Sequence, residues 1–297
     1  MRPKIFILFF LLSMSLAGLA QHESGTAEKI NLPASDRIKS FTLSPVGTKI
    51  VFTSLIDNKT KVYGLKEHTL VDLPAGTQPK SVVFSKNEKQ AFILSDEKLI
   101  VFDLLSAETK TIGKDEFASS KKWLWWYSIW NSQKAELYRL DWNALEVGHR
   151  IIPAIDLQNG KLILLKKEGR QELDPLDARY YLSPSLSPDK TKICGVAYGI
   201  GTFVCHLNEE IIYGPEKLES PSWVDNEFIL ATSVDDDGHE VLSSEIILVN
   251  IHTGKSESIA LNELEAMSPK FSKAENKIYF QTPEGELYSV KIKQIER

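Results

Sequence analysis

The chain is predicted to be all-β, a single ring of six four-stranded antiparallel sheets, and three observations predict it. A strand–turn–strand phrase recurs six times, the copies are spaced by about the length of a propeller blade, and each copy is followed by a second hairpin marked by turn-forming residues. No linker, low-complexity tract or long helical periodicity interrupts the series.

Each phrase is an apolar strand ending in Phe-Ser or Ser-Pro, a polar turn and a second apolar strand. The copies are Phe41-Thr42-Leu43-Ser44-Pro45 with Lys49-Ile50-Val51-Phe52, and Val83-Phe84-Ser85 with Gln90-Ala91-Phe92-Ile93-Leu94. A degraded third is Phe117-Ala118-Ser119 with Lys122-Trp123-Leu124-Trp125-Trp126, and the fourth is Ser185-Leu186-Ser187-Pro188-Asp189 with Lys192-Ile193-Cys194. The fifth is Ser222-Trp223-Val224-Asp225 with Phe228-Ile229-Leu230, and the sixth Lys270-Phe271-Ser272 with Lys277-Ile278-Tyr279-Phe280.

The second hairpins begin on β-branched strands such as Ile100-Val101-Phe102-Asp103-Leu104, Ala154-Ile155-Asp156-Leu157 and Ile247-Leu248-Val249-Asn250-Ile251. Asn159-Gly160 and Thr253-Gly254 supply residues that tolerate the positive φ of a tight turn. Two hairpins make one four-stranded blade. Equivalent positions Ser44, Ser85, Ser119, Ser187, Val224 and Ser272 are separated by 41, 34, 68, 37 and 48 residues. The long interval is read as an insertion from Asn131 to Arg150 between the two hairpins of the third repeat; read instead as an extra blade, it would make seven. The last repeat ends after Leu287-Tyr288-Ser289-Val290, one strand short, and the segment from Glu28 to Leu32 is placed to complete it and close the ring.

Residues 1–20 read as a signal peptide, with Arg2 and Lys4 ahead of an apolar run from Ile5 to Leu12 and small residues near Ala20. The run is short for a spanning helix, so residues 21–297 are expected to be one propeller domain without a transmembrane anchor, periplasmic or secreted. The net charge of −5 argues against nucleic-acid binding, which needs clustered Lys and Arg to release counterions. Two cysteines cannot form a disulfide framework. A two-residue turn with Gly199 at positive φ would set Cys194 opposite Cys205 within disulfide reach, the rival being two buried thiols.

Candidate chemistry is sparse. The Ser-x-x-Lys patterns at Ser95, Ser119 and Ser187 fall in or beside β-turns, where turn solvation explains them, and no Gly-x-Ser-x-Gly elbow occurs. Asp235, Asp237 and Glu240 form a weak calcium candidate in an acidic turn, lacking the full loop spacing of a helix–loop–helix site. The six histidines are scattered and show no metal-ligand spacing, so neither a metal nor a cofactor is implied. The aromatic run Trp123 to Tyr127 suits burial between blades. Trp130 precedes the insertion, which carries Tyr138, Arg139 and Trp142, and these four are the candidate binding residues.

Ser187-Pro188-Asp189 before Lys192-Ile193, and Ser44-Pro45-Val46-Gly47 before Lys49-Ile50-Val51-Phe52, resemble the Ser-Pro-Asp-Gly signature of the WD40-like repeats in TolB-type propellers. The resemblance covers roughly Arg37 to Lys293; it is strong in the first and fourth copies and poor in the third and fifth. It implies a six-bladed propeller, and for proteins of this kind a periplasmic location and partner binding. Because the repeats begin shortly after residues 1–20, no counterpart of the amino-terminal α/β domain of TolB is expected. Similar propellers also precede serine peptidase domains or form sugar-acid lyases. The expected function is therefore an exported scaffold that binds a protein or a cell-envelope component. The rivals are a lyase or hydrolase, or a carbohydrate or peptide binder, with its site in the axial funnel.

Overall fold

In the computed structural model the described residues are 26–33, 36–74, 82–84, 87–95, 98–113, 138–140, 151–156, 158–166, 169–237, 241–261 and 263–292. They form 24 strands in six four-stranded antiparallel sheets. A short strand, β1 (Glu28–Lys29), precedes blade 1, which is β2–β5 (Ile38–Leu43, Lys49–Ser54, Thr60–Gly64, Leu70–Asp72). Blade 2 is β6–β9 (Val82–Phe84, Gln90–Ser95, Lys98–Asp103, Thr109–Gly113), and blade 3 is β10–β13 (Tyr138–Leu140, Ile151–Asp156, Leu162–Lys166, Gly169–Leu173). Blade 4 is β14–β17 (Tyr181–Leu186, Lys192–Ala197, Gly201–His206, Ile211–Glu216), and blade 5 is β18–β21 (Glu219–Trp223, Phe228–Asp236, Val241–Asn250, Ser256–Ile259). Blade 6 joins β22–β24 (Met267–Ser272, Lys277–Gln281, Leu287–Lys291) to β1, in the order β1-β24-β23-β22.

The start of the described chain is thus the outermost strand of the last blade. Glu28 pairs with Ser289 and Lys29 with Tyr288, and the Ile30 amide donates to the Leu287 carbonyl at 2.8 Å. Ion pairs from Glu28 to Lys277 (2.9 Å) and from Lys29 to Glu286 (2.5 Å) flank the seam. A propeller has to join its first and last sheets to leave no long open edge.

The core lies between blades. Val51 and Val62 of blade 1 meet Val82 and Phe84 of blade 2, and Ile155 and Leu164 of blade 3 meet Tyr181 and Phe203 of blade 4. Leu230 and Ile246 of blade 5 meet Ile278 and Phe280 of blade 6, whose Tyr279 and Leu287 in turn meet Ile50 and Phe52 of blade 1. Because each sheet is covered on both sides, middle strands are apolar at both parities, as in the buried run Ile163-Leu164-Leu165.

The turn signature has a structural cause. In blade 1 the Lys49 amide donates to Ser44 Oγ at 3.1 Å, and in blade 4 the Lys192 amide donates to Ser187 Oγ at 3.0 Å. Gly47 and Lys190 are equivalent, both at positive φ (82° and 65°), with their amides donating to the Ser44 and Ser187 carbonyls at 2.8 Å. These turns also bond to the turn of the neighbouring blade. The Val46 amide reaches Glu88 Oε1 at 2.8 Å, the Asp189 amide reaches Asn226 Oδ1 at 2.9 Å, and Ser272 Oγ donates to the Gly47 carbonyl at 2.7 Å.

Two expectations are corrected. The third blade takes its first strand from Tyr138–Leu140, which pairs with β11, so the stretch from Asn131 to Arg150 contains a strand of the blade and is not wholly inserted length. Asp156 to Gly160 accordingly closes the middle hairpin of blade 3, between β11 and β12, not the last one; the copy from Phe117 to Trp126 lies outside the described residues. The second correction concerns the cysteines. Ala197 pairs with Gly201 across a three-residue turn, so Cys194 faces Val204 while Cys205 faces Ile193. One residue of register sends the two thiols to opposite sides of the sheet, and both are free.

Candidate binding face

An antiparallel four-stranded blade places two kinds of connection on each side of the ring. The turns between strands one and two, and between three and four, share one face. The middle hairpins and the blade-to-blade links share the other, called here the link face. On the link face the middle hairpins of blades 1, 3, 4 and 6 are tied to strand entries: the Leu55 amide donates to the Arg37 carbonyl (2.8 Å), Tyr198 to Tyr180 (2.9 Å), Tyr181 to Gly160 (2.9 Å) and Ile38 to Gly285 (2.7 Å).

Ten large apolar side chains are exposed among the described residues, and eight of them belong to the link face. Tyr180, Leu182, Tyr198 and Ile200 come from blade 4 and the link leading into it, Leu242 from blade 5 and Met267 from blade 6. Leu55 and Ile56, on the middle hairpin of blade 1, continue the arc; Val46 and Leu105 are the two on the turn face. Tyr198 is 64% exposed, packs edge-on against Tyr180 with centroids 6.4 Å apart, and Arg179 lies 5.2 Å from the Tyr180 ring centroid. Gly160 makes room for that ring, since a Cβ there would lie 2.1 Å from Tyr180 Cδ1.

Blade 5 adds a projection. Its middle strands run to nine and ten residues, longer than those of the other blades, and carry Leu242, 59% exposed, and Asp235, which lies opposite Ser243. In blade 1 the middle hairpin is anchored by a buried ion pair from Lys61 to Asp36 (2.7 Å), with Asp57 on the same ammonium (3.1 Å). Burial alone would lower the Lys61 pKa; the two carboxylates outweigh it and raise it. Asp36 also accepts from Ser54 Oγ and the Arg37 amide, so the buried charge is fully partnered.

First strands lie toward the axis. In blades 4, 5 and 6 they share a feature that the sequence reading missed: Ser183-Pro184, Ser220-Pro221 and Ser268-Pro269 each place the serine at a φ near 50°, within a register shift between first and second strands. Such bulges re-aim a strand where it must curve. The signal was legible as a repeated Ser-Pro at the entry of each strand. Described exposed residues of these strands include Ser40, Ser183, Leu182 and Met267, with Lys39 and Glu219 as charged groups.

Part of the set of sequence-predicted site residues falls on described positions. Tyr138 and Arg139 lie on β10 opposite Asp156 and Ile155, while Trp130, Trp142 and Glu240 lie outside the described residues. Asp235 and Asp237 are exposed, and among the described residues no three His, Cys, Asp or Glu side chains gather as metal ligands. Ser187 is engaged in its turn, its Oγ donating to Asp189 Oδ1 at 2.5 Å. Cys194 is packed between blades 4 and 5 and Cys205 between blades 3 and 4, where burial pushes the Cys205 thiol up to about 12 and the Cys194 thiol higher still.

Sheets, order and closure define a six-bladed β-propeller. No family model and no curated protein matches the sequence. Among solved structures, an oligogalacturonate lyase from Vibrio parahaemolyticus is similar with a TM-score of 0.54 at 12% identity, over 93% of this chain and 99% of that one. The β-propeller domain of Cps50 (Swd1) from Myceliophteria thermophila aligns at a TM-score of 0.49 and 9% identity, over 90% and 100% of the two chains. TolB from Acinetobacter baumannii aligns at 0.49 and 12%, over 79% of this chain and 57% of TolB. At such identities the likeness is one of fold.

Proposed function

We propose that this protein is an exported scaffold that binds a protein partner through the link face of its ring. The observation that carries this reading is the segregation of exposed large apolar side chains, eight of the ten among the described residues lying on one face and in adjacent blades. Scattered surface apolar residues need no explanation, but a one-sided arc with an aromatic pair and a flanking arginine has the composition of an interface centre. The first strands of blades 4, 5 and 6 each carry two serines, which suits a scaffold's axis. Export rests on residues 1–20, and no helix of the described residues is long and apolar enough to cross a membrane.

The test is chemical cross-linking of the chain in its native compartment, comparing wild type with Tyr198→Ser combined with Leu242→Ser. Both side chains are exposed, so thermal stability should be unchanged, while cross-links to a partner at link-face positions are lost. Unchanged partner cross-links in the double variant overturn the reading.

A further inference from the structure

Resting on that reading of the link face, we propose that the segment it binds is cationic, extended and amphipathic protein. The apolar arc is rimmed in blades 4 to 6 by more acidic than basic groups. Exposed Glu216 and Glu219 lie at the link into blade 5, Asp235 on the projecting ribbon, Glu263 on the link into blade 6 and Glu284 on that blade's middle hairpin. Lys217, and Arg179 beside Tyr180 on the link into blade 4, are the exposed basic residues of that rim among the described residues. On the turn face, by contrast, exposed Lys89, Lys190, Lys255 and Lys273 are interspersed with acids such as Asp189 and Glu227.

An apolar surface bordered by carboxylates attracts a basic partner and repels acidic ones, so charge sets the partner's sign while the apolar side chains supply its anchor points. Nucleic acid and anionic lipid are disfavoured by the same field. The ribbon specifies a peptide. Glu219 of β18 pairs with Thr232 and Ile259 of β21 pairs with Ile246, so among the described residues the ribbon beyond Thr232 and before Ile246 is only two strands wide. A two-stranded ribbon of this kind presents edges to which an extended backbone can add as a strand. Alternating side chains of that strand would set apolar groups against Leu242 and Ile200 and cations toward Asp235 and Glu219.

The probe is a short fluorescent peptide of alternating Lys and Leu, with Glu–Leu and Lys–Ser peptides of equal length as comparators, measured by anisotropy on the full chain. The Lys–Leu peptide should bind in a salt-sensitive manner, and both comparators at least roughly tenfold more weakly. Glu219→Gln, Asp235→Asn and Glu263→Gln combined, all exposed and isosteric, should weaken it by about tenfold or more, and Leu242→Ser likewise, while Leu105→Ser on the turn face changes nothing. Equal binding of the Glu–Leu peptide, or undiminished binding by the carboxamide triple variant, overturns the proposal. The two readings fail separately. If the Tyr198 and Leu242 double variant loses its partner cross-links while the carboxamide variant keeps them, the link face is a binding face and its partner is not cationic.

Discussion

The Ser272 hydroxyl of the last blade donates to the Gly47 carbonyl of the first at 2.7 Å, across 225 residues of sequence. Gly47 sits at φ 82°, and a Cβ there would fall 2.7 Å from Ser272 Oγ and 3.0 Å from its Cα. Gly47→Ala should therefore destabilise the protein by about 1–3 kcal/mol through backbone strain and the clash at the closing seam. Gly254→Ala is the comparison, because Gly254 shares the positive φ (69°) but has nothing within 4 Å of the added atom, and should lose less. Urea denaturation of the two variants checks the difference; equal losses would mean that the inter-blade contact adds nothing beyond backbone strain.

The cysteine register makes a chemical prediction. Chain unfolded without reductant should titrate with two thiols, and the folded chain with none, because Cys194 and Cys205 are buried in different inter-blade cores. Both behave as small core residues. Absence of reactive thiol in the unfolded, unreduced chain would show that the two sulfurs are joined, which the register shown here does not allow.

Acid should loosen the turn face. Burial pushes the Asp189 carboxyl up, but hydrogen bonds from Ser187, the Thr191 amide and hydroxyl, and Lys192 more than offset this and hold it well below its ordinary value of 3.8. A depressed carboxylate contributes stability that is fully present above its unfolded pKa and is lost as pH falls toward the folded value. Melting temperature should therefore drop between about pH 4 and pH 2, and Asp189→Asn, already less stable at neutral pH, should show a shallower drop. Parallel profiles for the two proteins would exclude Asp189 as a contributor.

The repeated strand–turn–strand phrase, the serine and glycine positions of its turns and the spare strand at Glu28–Lys29 were legible in the sequence because each is a local, short-period signal. Ser44, Ser187 and Ser272 announce their turns by residue type, and the structure adds that those turns also bond from blade to blade. What only tertiary structure decided is register and assignment. The strands Lys192–Ala197 and Gly201–His206 are buried on both faces, so their hydropathy is the same in either register. The choice between a two- and a three-residue turn then rested on packing against both neighbouring blades, and it separated the cysteines. The third blade likewise starts at Tyr138–Leu140, a strand too short to declare itself and recognisable only by its pairing with β11. The link face emerged in the same way. Tyr180, Tyr198, Leu242 and Met267 are far apart in sequence and unremarked in any motif, and they share a surface only because the ring brings their hairpins and links to one side.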